Sequence, residues 1–391
     1  MMFQLVENEK SAKIKVIGVG GAGCNAINNM IADNLQGVKF IVANTDSQSL
    51  EVSPAPVRIQ MGEKLTGGLG AGANPEIGQE AALEASDKLR EVLDESHMVF
   101  ITAGMGGGTG TGAAPIIAQI CKELGILTVG VVTKPFQFEG KRRSRLAQEG
   151  LQALRDVADT VITIPNDRLR SMATKNATLP EMFKKADEVL LHSVKGITDL
   201  ILKPGLVNLD FADVRETMSK GGTALMGIGM ASGENRALEA AEKALYHPLL
   251  EDVSIAGARA VLMNITCGPD LGFEETVQAS DRIYKEAGDD AAIIWGTAVD
   301  GASGDELRLT LIATGIGSDT EGKPRLPHVR GKLREMTAED IGEAVNLDEP
   351  TFIRKRGAVG ESARSVYRGF KGIILDNDDL DIPTFMRKNS S

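Results

Sequence analysis

The sequence predicts an α/β protein with a mainly parallel, Rossmann-like nucleotide-binding domain, a long central helix, a second smaller α/β domain and a disordered tail. Three observations lead to this prediction. Apolar runs of strand length alternate with helical patterns over residues 14–164, which indicates parallel strands joined by helices. Residues 180–202 carry apolar side chains at every third or fourth position, as one long amphipathic helix does. Further strand and helix patterns then follow over residues 223–315.

The predicted elements follow one another in a regular order. The first part is predicted to contain strand 14–19, helix 20–32, strand 38–43, helix 81–93, strand 97–103, helix 113–124 and strands 126–133 and 160–164. The part after the central helix is predicted to contain strands 223–230, 259–266, 291–299 and 306–315, with helices 236–245 and 273–287. Residues 317–391 have few apolar runs and contain four prolines, which predicts disorder.

Composition narrows the classes of function. The formal net charge is −11, which argues against nucleic-acid binding because that relies on Lys and Arg neutralising phosphates. The three cysteines show no metal-ligand spacing and no disulfide framework, and no apolar run reaches 18 residues. We therefore expect a cytoplasmic protein with no nucleic-acid partner and no direct membrane insertion.

A glycine-rich loop, GMGGGTGTG at residues 104–112, lies between the strand at 97–103 and the helix at 113–124. So many glycines favour close approach of the backbone to another group. At a strand-to-helix turn, the loop N–H groups and the positive helix end can bind a phosphate. A flexible linker is the alternative interpretation, although linkers are not bounded by an apolar strand and an apolar helix.

A second glycine motif, GVGGAG at residues 18–23, follows the first strand, and Asp46 lies near the end of the next strand. Alone, these features are typical of an NAD site, so an NAD-dependent oxidoreductase is the alternative function. A third glycine segment, GGLGAG at residues 67–72, joins the other two, and no Walker A sequence occurs. The combination favours a nucleoside triphosphate held mainly by backbone amides.

Seven longer motifs resemble the tubulin/FtsZ superfamily of GTPases, and in particular its bacterial FtsZ branch. The resemblance spans about residues 11–316. It implies a GTPase that polymerises head to tail and forms the cytokinetic ring at mid-cell. The motifs are GVGGAGCNAIN at 18–28, ANTD at 43–46, GLGAGANPEIG at 68–78, GGGTGTG at 106–112, TKPFQFEGKRR at 133–143, IPNDRL at 164–169 and NLDFADV at 208–214.

The resemblance also implies which residues bind GTP or GDP, with Mg²⁺ accompanying the nucleotide and no direct protein ligand assigned to the metal. Asn166, Phe183 and Asp187 would contact the base. Without the resemblance, the preferred interpretation is that Phe183 is a core residue and Asp187 a surface charge. The full implied set is Gly20, Gly21, Ala22, Gly23, Cys24, Asn25, Asn44, Gly70, Ala71, Gly72, Gly104, Gly106, Gly107, Gly108, Thr109, Gly110, Thr133, Pro135, Glu139, Arg143, Asn166, Phe183 and Asp187.

Two carboxylates, Asp210 and Asp213, lie three residues apart in the motif NLDFADV. The spacing alone is also consistent with Asp210 as a helix N-cap and Asp213 as a favourable charge in the first turn. The resemblance implies that Asn208, Asp210 and Asp213 are catalytic and act on the nucleotide of the adjacent subunit. The presence of both carboxylates disfavours a paralogue that has lost assembly.

The tail contains one nine-residue pattern twice. Residues 380–388 read LDIPTFMRK and residues 347–355 read LDEPTFIRK, identical at seven of nine positions. The later copy resembles the family's tail peptide, which implies contacts with membrane tethers and division regulators. The earlier copy is either a degenerate duplication or a second contact for the same partner. The implied partner-binding residues are Leu380, Asp381, Ile382, Pro383, Thr384, Phe385, Met386, Arg387 and Lys388.

These predictions divide the chain into seven segments. They are a flexible N-terminus at 1–12, a GTP-binding domain at 13–178, the central helix at 179–203, a catalytic loop with its following helix at 204–222, a C-terminal α/β domain at 223–316, a disordered linker at 317–375 and the partner-binding peptide at 376–391.

Overall fold

A computed structural model describes most of the chain. The described residues are 12–172 and 177–316, except 204, 206, 208, 220, 251–254, 289 and 300–303, together with the pairs 367–368 and 374–375. The chain divides into two compact units, Met1–Pro324 and Arg325–Ser391. The predicted N-terminal segment up to residue 11 and both copies of the tail peptide lie outside the described residues.

Strands and helices alternate along the first unit, as the sequence predicts. Up to the end of the central helix they are β1 (Ile14–Val19), α1 (Gly20–Ala32), β2 (Val38–Asn44), α2 (Ser47–Glu51), β3 (Val57–Gln60), α3 (Glu63–Thr66), α4 (Pro75–Glu84), α5 (Ser86–Leu93), β4 (Met98–Gly104), α6 (Thr109–Glu123), β5 (Leu127–Lys134), α7 (Lys141–Arg155), β6 (Thr160–Pro165), α8 (Asn166–Leu169) and α9 (Leu179–Leu202).

The remaining elements follow the central helix. They are α10 (Phe211–Ser219), β7 (Gly222–Ser232), α11 (Arg236–Leu245), β8 (Ala260–Cys267), α12 (Phe273–Ala287), β9 (Ala292–Val299) and β10 (Glu306–Thr314). In the second unit, β11 (Tyr367–Arg368) pairs antiparallel with β12 (Ile374–Leu375). This short pair lies within the segment predicted as a disordered linker.

The strands β1 to β10 form one continuous sheet in the order β3-β2-β1-β4-β5-β6-β7-β10-β8-β9. The strands β1 to β7 pair in parallel, whereas β10 is antiparallel to both β7 and β8. The direction of chain progression reverses at β1, whose neighbours are β2 and β4. Ligands bind at the carboxyl ends of the strands at such a point. Residues 20–25 and 104–112 lie there.

Helices cover both faces of the sheet. One cluster joins Val16 and Phe100 to side chains of α1 and α9, and another joins Ile17 and Ile101 to α4, α6 and α7. Neighbouring residues of β1 thus enter opposite layers, as the twofold strand period requires. The central helix α9 begins with a capping box, in which Glu181 accepts a hydrogen bond of 2.7 Å from the amide of Thr178.

Three details differ from the sequence-based expectation. The pattern at 81–93 predicts one helix, but the structure has α4 and α5, interrupted at Ala85. Helix α6 begins at Thr109 rather than 113, so Gly110 and Gly112 lie inside it. Glycine is required at 112 for close packing, because a Cβ there would collide with the Pro75 carbonyl of α4. Pro115 consequently lies inside α6 rather than in its first turn. The short elements α2, β3, α3 and α8 were also not predicted.

Candidate nucleotide-binding site

Two helices begin side by side at the carboxyl ends of β1 and β4. Helix α1 starts at Gly20 and α6 at Thr109, and a Cβ on Gly20 would lie 3.0 Å from the amide nitrogen of Gly110. Gly20 also has φ of +71°, which disfavours any side chain. Neither helix has a side-chain cap hydrogen bond or an acidic residue in its first turn. Their first N–H groups are therefore available to an anion, which both helix dipoles favour.

The glycines of the predicted GTP-binding set fall into two groups. Those that could not carry a Cβ, because it would lie 3.0 Å or less from a neighbouring atom, are Gly20, Gly23, Gly104, Gly106, Gly108 and Gly110. Those whose Cβ would meet no atom within 4 Å are Gly21, Gly70, Gly72 and Gly107. The first group lets the loops pack against one another. The second group borders open space, where a ligand can approach the backbone closely.

The loop at residues 67–72 is joined to the loop at residues 104–112 through Thr45. The hydroxyl oxygens of Thr45 and Thr109 lie 2.7 Å apart, and the amide of Gly70 donates to the carbonyl of Thr45 at 3.2 Å. A Cβ on Gly108 would lie 2.8 Å from the Cβ of Ala71. The structure therefore brings together the three glycine segments that the sequence places far apart.

The first turn of α1 presents side chains of different character. Ala22 and Asn25 are exposed, whereas Cys24 is buried in the core. Burial raises the pKa of the Cys24 thiol to about 12, so this sulfur stays protonated and is not a nucleophile. The side chain of Asn44 at the end of β2 is buried, and its Oδ1 accepts from the amide of Thr45 at 2.9 Å.

The segment after β5 forms a further side of the site. A Cβ on Gly104 would lie 3.6 Å from the hydroxyl of Thr133, and Pro135 continues the chain outward from β5. The carboxylate of Glu139 accepts a 2.8 Å hydrogen bond from the amide of Phe136 and pairs with Arg143 at 3.0 Å. The backbone of Arg143 in turn packs against the loop at Gly106.

Aromatic and polar side chains meet at the opposite end of the site. Phe183 of α9 is 41 % exposed, and its ring lies edge-on to that of Phe136 at 5.6 Å between centroids. Asp187, one turn further along α9, accepts a hydrogen bond of 3.0 Å from Asn29 of α1. Asn166 is buried, and its Oδ1 has no hydrogen-bond partner among the described residues. A planar base can pack on the aromatic ring and satisfy these polar groups.

Burial, with a smaller contribution from the charge of Glu188, raises the pKa of Asp187 to about 7. The hydrogen bond from Asn29 acts in the other direction, because it stabilises the ionised carboxylate. Any additional hydrogen-bond donor would therefore stabilise the ionised carboxylate of Asp187. The N1–H and N2–H groups of guanine are donors of that kind.

The two predicted catalytic carboxylates lie at the other end of the sheet. The ring of Phe211 is 6.0 Å from that of His97, which precedes β4, and Arg215 donates to the carbonyl of Gly125, which precedes β5. Asp210 and Asp213, at the start of the same helix α10, are thus at the amino ends of the strands. Helix α9, with 24 residues and a length of about 36 Å, leads from Phe183 to this end.

Local bonding at α10 leaves both carboxylates available. The Oδ1 of Asp210 accepts a weak 3.3 Å hydrogen bond from the amide of Ala212, consistent with the capping interpretation. Within the described part of the chain, neither Asp210 nor Asp213 forms an ion pair. Asn208 lies outside the described residues. The structure therefore does not bring Asp210 and Asp213 to the glycine loops of the same molecule.

Asp46, the residue that suggested a dinucleotide site, has a different role. Its carboxylate accepts hydrogen bonds from the amides of Gln48 and Ser49 and from the Ser49 hydroxyl, and it caps α2. A carboxylate occupied in this way is not free to bind a ribose hydroxyl, which removes the physical basis of the NAD interpretation.

Two features are absent from the described residues. No group of three or more His, Cys, Asp or Glu side chains there is placed to hold a metal ion. No helix among them is both long and apolar enough to cross a membrane.

A doubly wound sheet with glycine loops at its switch point, and with an aromatic and a carboxylate side chain beside them on a long central helix, defines a nucleotide-binding protein of the tubulin-like class. Two family models match the chain: "Tubulin/FtsZ family, GTPase domain" over residues 13–174 and "FtsZ family, C-terminal domain" over residues 222–317. The chain belongs to the FtsZ family of polymerising cell division GTPases. The resemblance drawn from the motifs and the predicted fold class are confirmed, and the oxidoreductase alternative receives no support.

Individual relatives agree with this assignment. The chain is 50 % identical over 388 residues to the cell division protein FtsZ of Coxiella burnetii, covering 99 % of both chains. It is 48 % identical over 397 residues to that of Pseudomonas aeruginosa, covering all of both. A solved FtsZ dimer from M. jannaschii matches 80 % of this chain and 90 % of its own at 45 % identity, with a TM-score of 0.76. A protofilament of CetZ2 from Haloferax volcanii, at 20 % identity and TM-score 0.68, covers 77 % of this chain and 92 % of its own and shares the fold.

Sequence reasoning missed three residues of this site. Asn29 bonds Asp187, Phe136 contacts Phe183, and Thr45 joins two loops. Phe136 lies within the motif at 133–143 and Thr45 within the motif at 43–46, so these motifs could have indicated both residues. Asn29 is one polar residue in an amphipathic helix, and its role depends on the packing of α1 against α9.

Proposed function

We propose that this GTPase hydrolyses GTP to GDP and phosphate between two subunits of a head-to-tail polymer. One subunit holds the nucleotide on the loops at the carboxyl ends of its strands. The next subunit supplies Asp210 and Asp213, together with Asn208. The observation that carries the proposal is the separation of these two sets of residues along α9, because one molecule alone cannot place the carboxylates at its own phosphates.

The uncapped amides of α1 and α6 would bind the phosphates, with Gly21, Gly70, Gly72 and Gly107 approaching them most closely. Glu139 and Arg143 would contact ribose and phosphate. Phe183, Asp187 and Asn166 would contact guanine. Such a division of tasks suits the geometry, since amide donors, a charged pair and an aromatic base site follow one another around the three loops.

Mg²⁺ is proposed to enter with the nucleotide. The three glycine loops supply mainly neutral amide donors, and Arg143 is the one cation in the set of GTP-binding residues that the resemblance implies. A divalent ion accompanying the phosphates would therefore help to balance their negative charge. Bound there, it would neutralise charge that develops during phosphoryl transfer. Asp210 and Asp213 of the adjacent subunit would orient the attacking water and accept its proton.

Exposed apolar surfaces at both ends support head-to-tail contact. Near the nucleotide loops, Leu69 is 90 % exposed and Phe138 is 67 % exposed. At the other end, Phe273 is 84 % exposed and lines a cavity of about 430 Å³ together with Val207 and Trp295. Val207 is three residues before Asp210, so this apolar surface lies beside the carboxylates. Contact between the two surfaces would bury apolar area and would bring Asp210 and Asp213 of one subunit to the nucleotide loops of the next.

The tail is proposed to connect the polymer to other proteins at a mid-cell ring. Residues 380–388 would bind membrane tethers and division regulators, and residues 347–355 would offer the same partner a second contact. Two linked contacts can increase avidity by about 10²- to 10⁴-fold when both engage. In the earlier copy Glu349 stands where the later copy has Ile382, which predicts weaker binding to an apolar pocket. Titration of a 340–360 peptide against a partner that binds 376–391 tests this, and no detectable affinity rejects the second contact.

GTPase activity measured against protein concentration tests the central proposal. A site formed by two subunits gives activity only above a threshold concentration, and the threshold should coincide with the appearance of pelletable polymer. Activity strictly proportional to concentration from the lowest values upward would mean that each molecule contains a complete site, and would reject the proposal.

A further inference from the structure

One buried arginine joins three carboxylates in the part of the chain that follows the central helix. Arg236, the first residue of α11, is 4 % exposed. Its guanidinium forms ion pairs of 2.8 Å with Glu275, 3.0 Å with Asp270 and 3.2 Å with Asp305. The pair with Glu275 is bidentate, with a second hydrogen bond of 3.1 Å. These hydrogen bonds hold the pKa of Glu275 below its ordinary value. We call these four side chains the Arg236 cluster.

The Arg236 cluster is not what packs α11 against α12. Both helices contribute side chains to one buried apolar cluster, which includes Ala240 and Ala244 of α11 and Ala279 and Ile283 of α12. Replacement of a buried ion pair by apolar side chains is often neutral or even stabilising. A buried guanidinium beside such an apolar contact is therefore better explained by the geometry that its directed bonds impose on the chain.

Two members of the Arg236 cluster lie on either side of the short segment 271–273. Asp270 immediately precedes this segment, and Arg236 also donates to the Asp270 carbonyl at 3.4 Å. Glu275 follows the segment by two residues, and its Oε2 accepts a 2.8 Å hydrogen bond from the amide of Gly272. A single guanidinium thus bonds both ends of the segment 271–273 and sets the direction in which α12 begins.

The segment 271–273 forms part of the exposed apolar surface near Asp210. All three of its residues line the cavity of about 430 Å³, and Phe273 is 84 % exposed. A side chain so exposed has little packing of its own, so its position depends on the backbone that carries it. Ordering such a segment during association lowers affinity, whereas a segment that is already ordered avoids this loss.

We propose that Arg236 is a positioning residue for the contact between subunits. It holds the segment 271–273 at both ends, so that Phe273 and the cavity beside it are already arranged when the next subunit arrives. The inference rests on the proposed function, in which this surface meets the nucleotide end of a neighbouring molecule. The effect of Arg236 is on assembly, and through assembly on GTP turnover, and not on the chemistry of hydrolysis itself.

Two carboxylates of the Arg236 cluster provide a matched pair of variants. Asp270 and Asp305 both pair with the guanidinium and are both more than half exposed, at 55 % and 68 %. Only Asp270 adjoins the segment 271–273, whereas Asp305 bonds the amide of Gly233. Removal of Asp305 therefore disturbs local bonding at least as much, but it leaves both ends of the segment attached to Arg236.

The threshold concentration for GTPase activity of the full-length protein is the measurement. We expect Asp270→Ala to raise this threshold about three- to tenfold and Asp305→Ala to change it by less than about twofold. Turnover per subunit well above the threshold and GTP affinity of the monomer should be unchanged in both variants. Thermal unfolding confirms that both are folded. If Asp270→Ala does not fold, the same comparison is made between Asp270→Asn and Asp305→Asn, which keep the side-chain shape and remove only the charge.

Two outcomes overturn the positioning role. An unchanged threshold in Asp270→Ala would mean that the segment needs no support from Arg236. Equal increases in Asp270→Ala and Asp305→Ala would mean that the Arg236 cluster supports only the general stability of this part of the chain.

Combination with Phe273→Ser separates this inference from the proposed function. If Asp270 acts through the segment, Asp270→Ala should add little to the threshold of Phe273→Ser, and independent, additive effects would reject the positioning role. If Phe273→Ser alone leaves the threshold unchanged, the proposed contact surface is itself wrong, and this inference falls with it. If Phe273→Ser raises the threshold and Asp270→Ala does not, the contact surface stands and only the role of Arg236 is rejected.

Discussion

The two ends of the sheet differ in what they can do with a nucleotide. The carboxyl end has uncapped helix amides, open glycines and an aromatic base site, but two of the carboxylates near its loops are occupied: Glu139 pairs with Arg143, and Asp46 caps α2. The amino end has the available carboxylates Asp210 and Asp213 and, within the described residues, no glycine loop. Under the proposed assignment, binding and hydrolysis are separated in one molecule, and hydrolysis would depend on assembly.

The largest effect should come from the amino end. We expect Asp213→Ala to lower GTP turnover by about 10²-fold or more, because general-base and water-positioning groups contribute on this scale. GTP affinity should remain unchanged, since Asp213 is at the far end of α9 from the subunit's own nucleotide. Turnover in the polymer and GTP binding by the monomer are measured separately.

Asp87→Ala provides the control for this experiment. Asp87 is also an exposed carboxylate in the first turn of a helix, α5, so its removal has a similar effect on a helix dipole. If Asp87→Ala reduces turnover as much as Asp213→Ala, or if Asp213→Ala is fully active, the separation of the two ends is wrong.

The second effect concerns the carboxyl end. Gly108→Ala places a Cβ 2.8 Å from Ala71 and 2.9 Å from the amide nitrogen of Asn74, which forces two of the loops apart. Each charge-assisted hydrogen bond lost to a phosphate weakens binding by about tenfold or more. We expect GTP affinity to fall accordingly, as measured by fluorescence of a labelled nucleotide. Thermal unfolding of the nucleotide-free protein checks that the fold persists, and unchanged affinity would contradict the role of this packing.

How far the sequence predicts this site depends on the kind of residue. The glycine loops were predictable, because close packing and positive φ at positions such as Gly20 leave a dense glycine signature. The joining of strands β1 to β10 into one sheet was not predictable. Strands β6 and β7 pair over residues 160–162 and 222–224 only, and no local pattern encodes so short a contact. The role of Asn29 was not predictable either, because it arises from the packing of α1 against α9, two helices that are distant in sequence.

The third effect concerns contact between the ends. Phe273→Ser removes an exposed aromatic from the surface beside Asp210, and burying one such side chain contributes about 1.5–3 kcal/mol. We expect the threshold concentration for GTPase activity to rise about tenfold with nucleotide affinity unchanged. Tyr246→Ser is the control, because it alters another exposed aromatic in the part of the chain that follows the central helix. An unchanged threshold in Phe273→Ser would place the contact elsewhere.

The smallest effect is a pH dependence confined to the carboxyl end. The pKa of Asp187 is raised to about 7, mainly by burial, and guanine needs the ionised form as acceptor. GTP affinity should therefore be full above pH 7 and should fall as the pH drops through 7 and the carboxylate becomes protonated. Because Asn29 stabilises the charged form, Asn29→Ala raises this pKa and moves the midpoint of the affinity profile upward.

The shape of this profile distinguishes a positioning role for Asn29 from a structural one. At pH 7 the affinity of Asn29→Ala should be several-fold below wild type, and well above pH 7 the two should converge, since both carboxylates are then ionised. Asn28→Ala is the control, because Asn28 bonds Ser53 instead. A loss of affinity that is equal at every pH would mean that Asn29 merely supports the fold, whereas convergence at high pH ties base recognition to the ionisation of one carboxylate.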